Sequence, residues 1–136
     1  DASDPSTNRS YVERVVDLRV DDAITGNPFK ELRRLLEMQE GIPRQLTDES
    51  AKLATEGKFD QAIAKEQQAI EIDPNRETYH YALAQRYAQA GNTTKALESL
   101  EKAIKIHPAS MKREAAADPI FTKLKDSAKF KQLIGQ

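Results

Sequence analysis

Cysteine and tryptophan are absent from this 136-residue chain, and only two histidines are present. Without thiols there is neither a disulfide framework nor a thiolate metal site. His80 and His107 have no further nitrogen or sulfur donor at short spacing, so no zinc set is expected. The five glycines are isolated from one another, which leaves no glycine-rich loop to cradle a phosphate. No apolar run approaches the ~18 residues of a bilayer-spanning helix, so no direct membrane insertion is expected. The net charge is -1, which gives no overall pull towards nucleic acid or an anionic membrane. The chain has 38% hydrophobic and 32% charged residues, a balance that suits thin helical layers with much surface.

Internal periodicity is what the chain does have. Shifted by 34 residues, Gly57-Lys58-Phe59-Asp60-Gln61-Ala62 falls on Gly91-Asn92-Thr93-Thr94-Lys95-Ala96, Ala69-Ile70 on Ala103-Ile104, and Asp73-Pro74 on His107-Pro108, without a gap. Gly57 and Gly91 stand where a first helix stops, because glycine adopts the left-handed C-cap conformation without a Cβ clash. Ala62 and Ala69, like Ala96 and Ala103, share one face of a second helix and let the antiparallel partner approach closely. Ser50 and Ala84 take the small position on the first helices, and Leu53 and Tyr87 the bulky one. Pro74 and Pro108 end the second helices.

A period of about 34 with these offsets resembles the tetratricopeptide repeat family. One repeat runs over Pro43–Arg76 and the next over Glu77–Ser110. Leu46 and His80 stand where the family favours a large aromatic residue, and Glu49 replaces an apolar one. The fold class implied is an all-α, antiparallel helix–turn–helix solenoid of about six to eight helices, with atypical capping helices at both ends.

The flanks are less regular. Residues 1–9 are polar and read as a flexible arm. Ser10-Tyr11-Val12-Glu13 reads as a capping box opening a helix with Val15, Val16 and Leu18, although three valines within six residues keep a strand open. Asn27-Pro28 starts the next helix, with Phe29, Leu32, Leu35 and Leu36 on one stripe and Gly41 as the stop. Residues 10–42 are therefore a helical hairpin, either a degenerate leading repeat or a cap. After Pro108 a third first-helix begins at Met111, and Asp118-Pro119 breaks it and starts a fresh turn. Ser127 opens a last helix, so residues 111–136 are a degenerate third repeat or C-terminal cap. Phe121, Leu124, Phe130 and Leu133 are expected to cover the apolar edge of the second repeat.

No constellation of catalytic chemistry emerges. His80 reads as a packed, hydrogen-bonded ring, and His107 as a helix C-terminal residue. Asp21-Asp22 reads as a solvated helix-end pair. Glu66, Glu71, Glu98 and Glu101 read as exposed charges, the last two pairing with Lys102 and Lys105. Asn8-Arg9-Ser10 and Asn92-Thr93-Thr94 fit a glycan acceptor triplet, but Asn92 is better explained as a helix cap. The expectation is a protein without enzymatic activity, cofactor or metal.

The resemblance places the first helices on an inner face that recognises peptides or protein surfaces. Its inward positions are Arg44, Thr47, Ala51 and Thr55, then Thr78, Tyr81, Gln85 and Gln89, then Lys112 and Ala115. Members that hold a chaperone's C-terminal carboxylate use two Lys, two Asn and an Arg. Thr47, Ala51, Ala82, Lys112 and Ala116 occupy those positions here, so four of the five are missing. The groove is expected to be neutral and polar, centred on Tyr81, unless Tyr81 merely packs against a neighbouring helix.

Two function classes follow. The first is a non-catalytic scaffold that binds a partner protein or peptide, or stabilises a larger assembly, membrane-associated ones included. The second is the C-terminal docking or oligomerisation domain of a longer bacterial enzyme. The chain begins at Asp1 rather than Met and shows no signal-peptide pattern. This fits a processed extracytoplasmic protein or a cytoplasmic fragment, and the compartment stays open.

Overall fold

Helical periodicity is realised in every described element. The computed structural model describes residues 26–135. The order is α1 (Gly26–Gln39), α2 (Ile42–Thr55), α3 (Phe59–Ile72), α4 (Glu77–Gln89), α5 (Thr93–Ile106), α6 (Pro108–Ala117), a 3-10 helix η1 (Pro119–Leu124) and α7 (Ala128–Ile134). No strand occurs among the described residues. The arm over 1–9, the helix opening at Ser10, the Asn8 triplet and the Asp21-Asp22 pair lie outside the described residues.

The chain divides into two compact units between Ile42 and Pro43. On the N-terminal side, α1 starts at Gly26, so Pro28 sits in its first turn, where a missing N–H has no intrahelical acceptor to lose. The expected stripe is only half buried. Phe29 and Leu36 are each 9% exposed, whereas Leu32 is 37% and Leu35 48% exposed. At about 100° per residue, Phe29 and Leu36 point nearly the same way while Leu32 and then Leu35 rotate away from them.

On the C-terminal side, two helical hairpins repeat one design. In the α2–α3 turn the Lys58 N–H donates to Leu53 O at 2.9 Å and the Gly57 N–H to Ala54 O at 3.0 Å. In the α4–α5 turn the Asn92 N–H donates to Tyr87 O at 2.9 Å and the Gly91 N–H to Ala88 O at 3.1 Å. These are Schellman closures, and Gly57 and Gly91 carry the positive φ (78° and 85°) that such closures require. Asn92 also caps α5 by accepting the Lys95 N–H at 3.2 Å, whereas Lys58, its counterpart, makes no side-chain cap. Ala62, Ala69, Ala96 and Ala103 are fully buried, as close antiparallel packing demands.

The C-terminal segment closes the second hairpin. His107 ends α5 and also precedes α6, which begins at Pro108 rather than at Met111 because proline at the first helical position initiates the next helix at once. Asp118 accepts the Ile120 N–H at 2.9 Å and opens η1, and Ser127 caps α7 at Phe130 N. Phe121, Leu124 and Phe130 are at most 2% exposed and join Leu100, Ile104 and Met111 in one core, with Leu133 packed at its edge. Burial of each aromatic ring contributes about 1.5–3 kcal/mol.

Candidate functional site

Thr78, Tyr81, Gln85 and Gln89 recur at helical spacing along α4, but the structure gives them different roles. Thr78 and Gln89 are exposed and Gln85 is half-buried. Tyr81, expected as an accessible anchor, is 8% exposed. Its ring meets the Phe121 ring edge-on, with centroids 5.6 Å apart and an interplanar angle of 89°. The Tyr81 hydroxyl and the Gln85 Nε2 each donate to Asp118 Oδ2 at 2.8 Å. Burial, this hydrogen bond and the nearby Asp118 and Glu114 charges all push the Tyr81 phenol pKa up, so the hydroxyl is a fixed neutral donor. The C-terminal segment thus occupies the middle of this stripe, and the accessible groups lie at its two ends.

Along α2, Arg44, Ala51 and Thr55 are exposed. Thr55 turns back on its own helix and donates to Lys52 O at 2.7 Å. Thr47 is half-buried and donates to Glu66 Oε2 at 2.9 Å, which draws it towards α3. On α6, Lys112 is half-buried and Ala115 fully buried.

Glu66 corrects the sequence expectation most sharply. Far from an exposed charge, it is fully buried between the helices. Thr47 donates to its Oε2 at 2.9 Å, the Ser50 hydroxyl also lies near it, and its Oε1 has no hydrogen-bond partner. Burial raises its pKa and outweighs the Thr47 and Ser50 hydroxyls and the Arg86 charge, all of which favour the carboxylate. Arg86 of α4 is also buried, with Nε donating to Ser50 Oγ at 3.2 Å and Nη1 to Gln89 Oε1 at 3.0 Å. The Ser50 hydroxyl in turn donates to Ala62 O at 2.9 Å. The missed signal was available, since Glu66 shifted by 34 residues falls on Leu100, an apolar core position.

Other assignments resolve individually. His80 is buried and its Nε2 lies 2.7 Å from Pro74 O; a carbonyl only accepts, so Nε2 carries the proton. Exposed His107 has its Nδ1 3.4 Å from Ser110 Oγ. Glu101 reaches Lys129 of α7 at 3.3 Å instead of Lys105, and no Glu98–Lys102 ion pair forms. Sequence reasoning also missed a recess of about 330 Å³ on the other side of α4, lined by Gln67 and Ile70 of α3, Tyr87 of α4 and Lys95 and Lys102 of α5. No group of three His, Asp or Glu side chains is placed to hold a metal ion, and no helix is long and apolar enough to cross a membrane, among the described residues.

Consecutive antiparallel hairpins, each closed by glycine and joined through buried alanines, define a helical-repeat solenoid. Family models agree: residues 53–91 match the TPR repeat and residues 77–110 the tetratricopeptide repeat, so residues 53–110 carry tetratricopeptide repeats. Repeats of this kind are protein-interaction modules, typically for protein or peptide partners. No curated protein matches the chain.

Proposed function

We propose that the chain is a non-catalytic scaffold that holds a protein or peptide partner along the exposed polar stripe of its first helices, and does not bind nucleic acid. Arg44 on α2 and Thr78 and Gln89 on α4 make the contact, with Lys112 at the C-terminal end of the stripe, while Gln85, engaged with Asp118, holds the C-terminal segment in place between them. Thr47 and Tyr81 support it from beneath. The observation that carries this reading is Gln89. Buried Arg86 donates to its Oε1 at 3.0 Å, which fixes the amide and leaves its N–H groups for a partner. A side chain held in one rotamer before binding loses less entropy on contact. The finer role is to keep such a partner within a larger assembly, membrane-associated assemblies included.

A photo-crosslinking residue placed in the full chain at Thr78 or Gln89, and separately at exposed Glu71 or Lys102, tests this in cells. A partner should be captured from the first pair and not from the second. In the purified complex, Gln89→Ala and Arg44→Ala should each weaken binding by about 1 kcal/mol or more. Crosslinks confined to Glu71 and Lys102 would move the working surface to the second helices and overturn the proposal.

A further inference from the structure

The first hairpin contains a carboxylate in a place built for hydrocarbon. Glu66 is fully buried, its counterpart Leu100 is equally buried, and one Glu66 oxygen finds no donor. A buried ionised carboxylate with one oxygen left unpartnered is costly, and protonation is the least expensive remedy open to it. Buried Arg86 donates Nε to Ser50 and Nη1 to Gln89, and acts on Glu66 through its charge while Glu66 Oε1 stays unpartnered.

We infer that Glu66 is a proton-binding site in the core of the first repeat, and that taking up its proton tightens the packing of α2, α3 and α4 as the pH falls. The groups facing it can be named. From α2 come Asp48, whose charge favours the protonated form, and the Thr47 and Ser50 hydroxyls, which favour the carboxylate. From α4 come Arg86, which favours the carboxylate, and Tyr79, whose phenol burial keeps neutral. Burial is the largest influence and sets the direction upwards. The folded state therefore holds the Glu66 proton more tightly than the unfolded chain does. The stabilisation is complete below the ordinary glutamate value of 4.5 and is lost as pH rises through the folded value. Within that window a single proton changes the folding equilibrium constant by about tenfold per pH unit.

Two readouts on the full chain test the device. The Glu66 side-chain carboxyl ¹³C shift, followed by NMR across pH, should titrate above the ordinary glutamate value of 4.5. Replacing the donor, Thr47→Val, should move the Glu66 midpoint further up, since only an interaction with the carboxylate responds in that way. Urea titrations of the wild type and Glu66→Gln at several pH values should show the wild type losing relative stability, by up to tenfold per unit, as pH rises through the window. A Glu66 midpoint at or below the ordinary value of 4.5, or one unmoved by Thr47→Val, overturns the inference. The NMR arm decides on the wild type and Thr47→Val alone if Glu66→Gln does not fold.

Discussion

The two repeats share a backbone design and differ in what fills it. In the second, Leu100, Ala84 and Tyr81 meet Phe121, Leu124 and Phe130 in an apolar core. In the first, the equivalent positions hold Glu66, Ser50 and Thr47, linked to α4 through buried Arg86. Schellman turns and buried alanines set the path of the chain in both, so the interior chemistry is free to vary. An apolar core gains stability from contact area alone. A polar one depends on every donor and acceptor finding a partner, and Glu66 Oε1 does not.

The sharpest way to break the comparison is to transplant the polar residue. Leu100→Glu places a carboxylate where no Thr47, Ser50 or Arg86 equivalent waits, and should cost about 3–5 kcal/mol or prevent folding. Denaturant titration reads this directly, and a loss below about 1 kcal/mol would mean that the two cores are not chemically distinct. Ala96→Leu comes next. Ala96 is fully buried at the hairpin contact, so a larger side chain should overpack it and cost about 1–3 kcal/mol. An unchanged melting temperature would refute the assigned register.

Smaller effects probe the C-terminal closure. Tyr81→Phe removes one of two donors to Asp118 Oδ2 while keeping the ring on Phe121, and should cost about 1 kcal/mol. Loss of Gln85→Ala should be comparable, and a thermal melt insensitive to both would show that Asp118 is held by its Ile120 cap alone. Lys129→Ala breaks a partly exposed ion pair with Glu101 and should change stability by no more than about 0.5 kcal/mol.

The hairpins were legible in the sequence because glycine, alanine and proline act through the backbone, and their offsets survive whatever the side chains around them do. The closing segment was legible for a related reason: Asp118-Pro119 and Ser127 are start signals with a local mechanism. The inner face was harder to read. Its positions follow from the period, but whether Tyr81 stands open depends on where a segment 37 residues further along folds back, and no local rule contains that. Glu66 was misread through its neighbours in sequence, where charges at helical spacing suggest a solvated face. Its 34-residue counterpart, Leu100, would have given the better guide.

The most direct test of the contrast between the repeats is native-state hydrogen exchange, compared between α3 and α5 at one pH near neutrality. Amides around Leu100 should exchange only through global unfolding, while those around Glu66 should open at a measurably lower free energy. Equal protection of the two helices, or greater protection around Glu66, would contradict the view that one repeat is held by apolar contact and the other by an incompletely satisfied polar network.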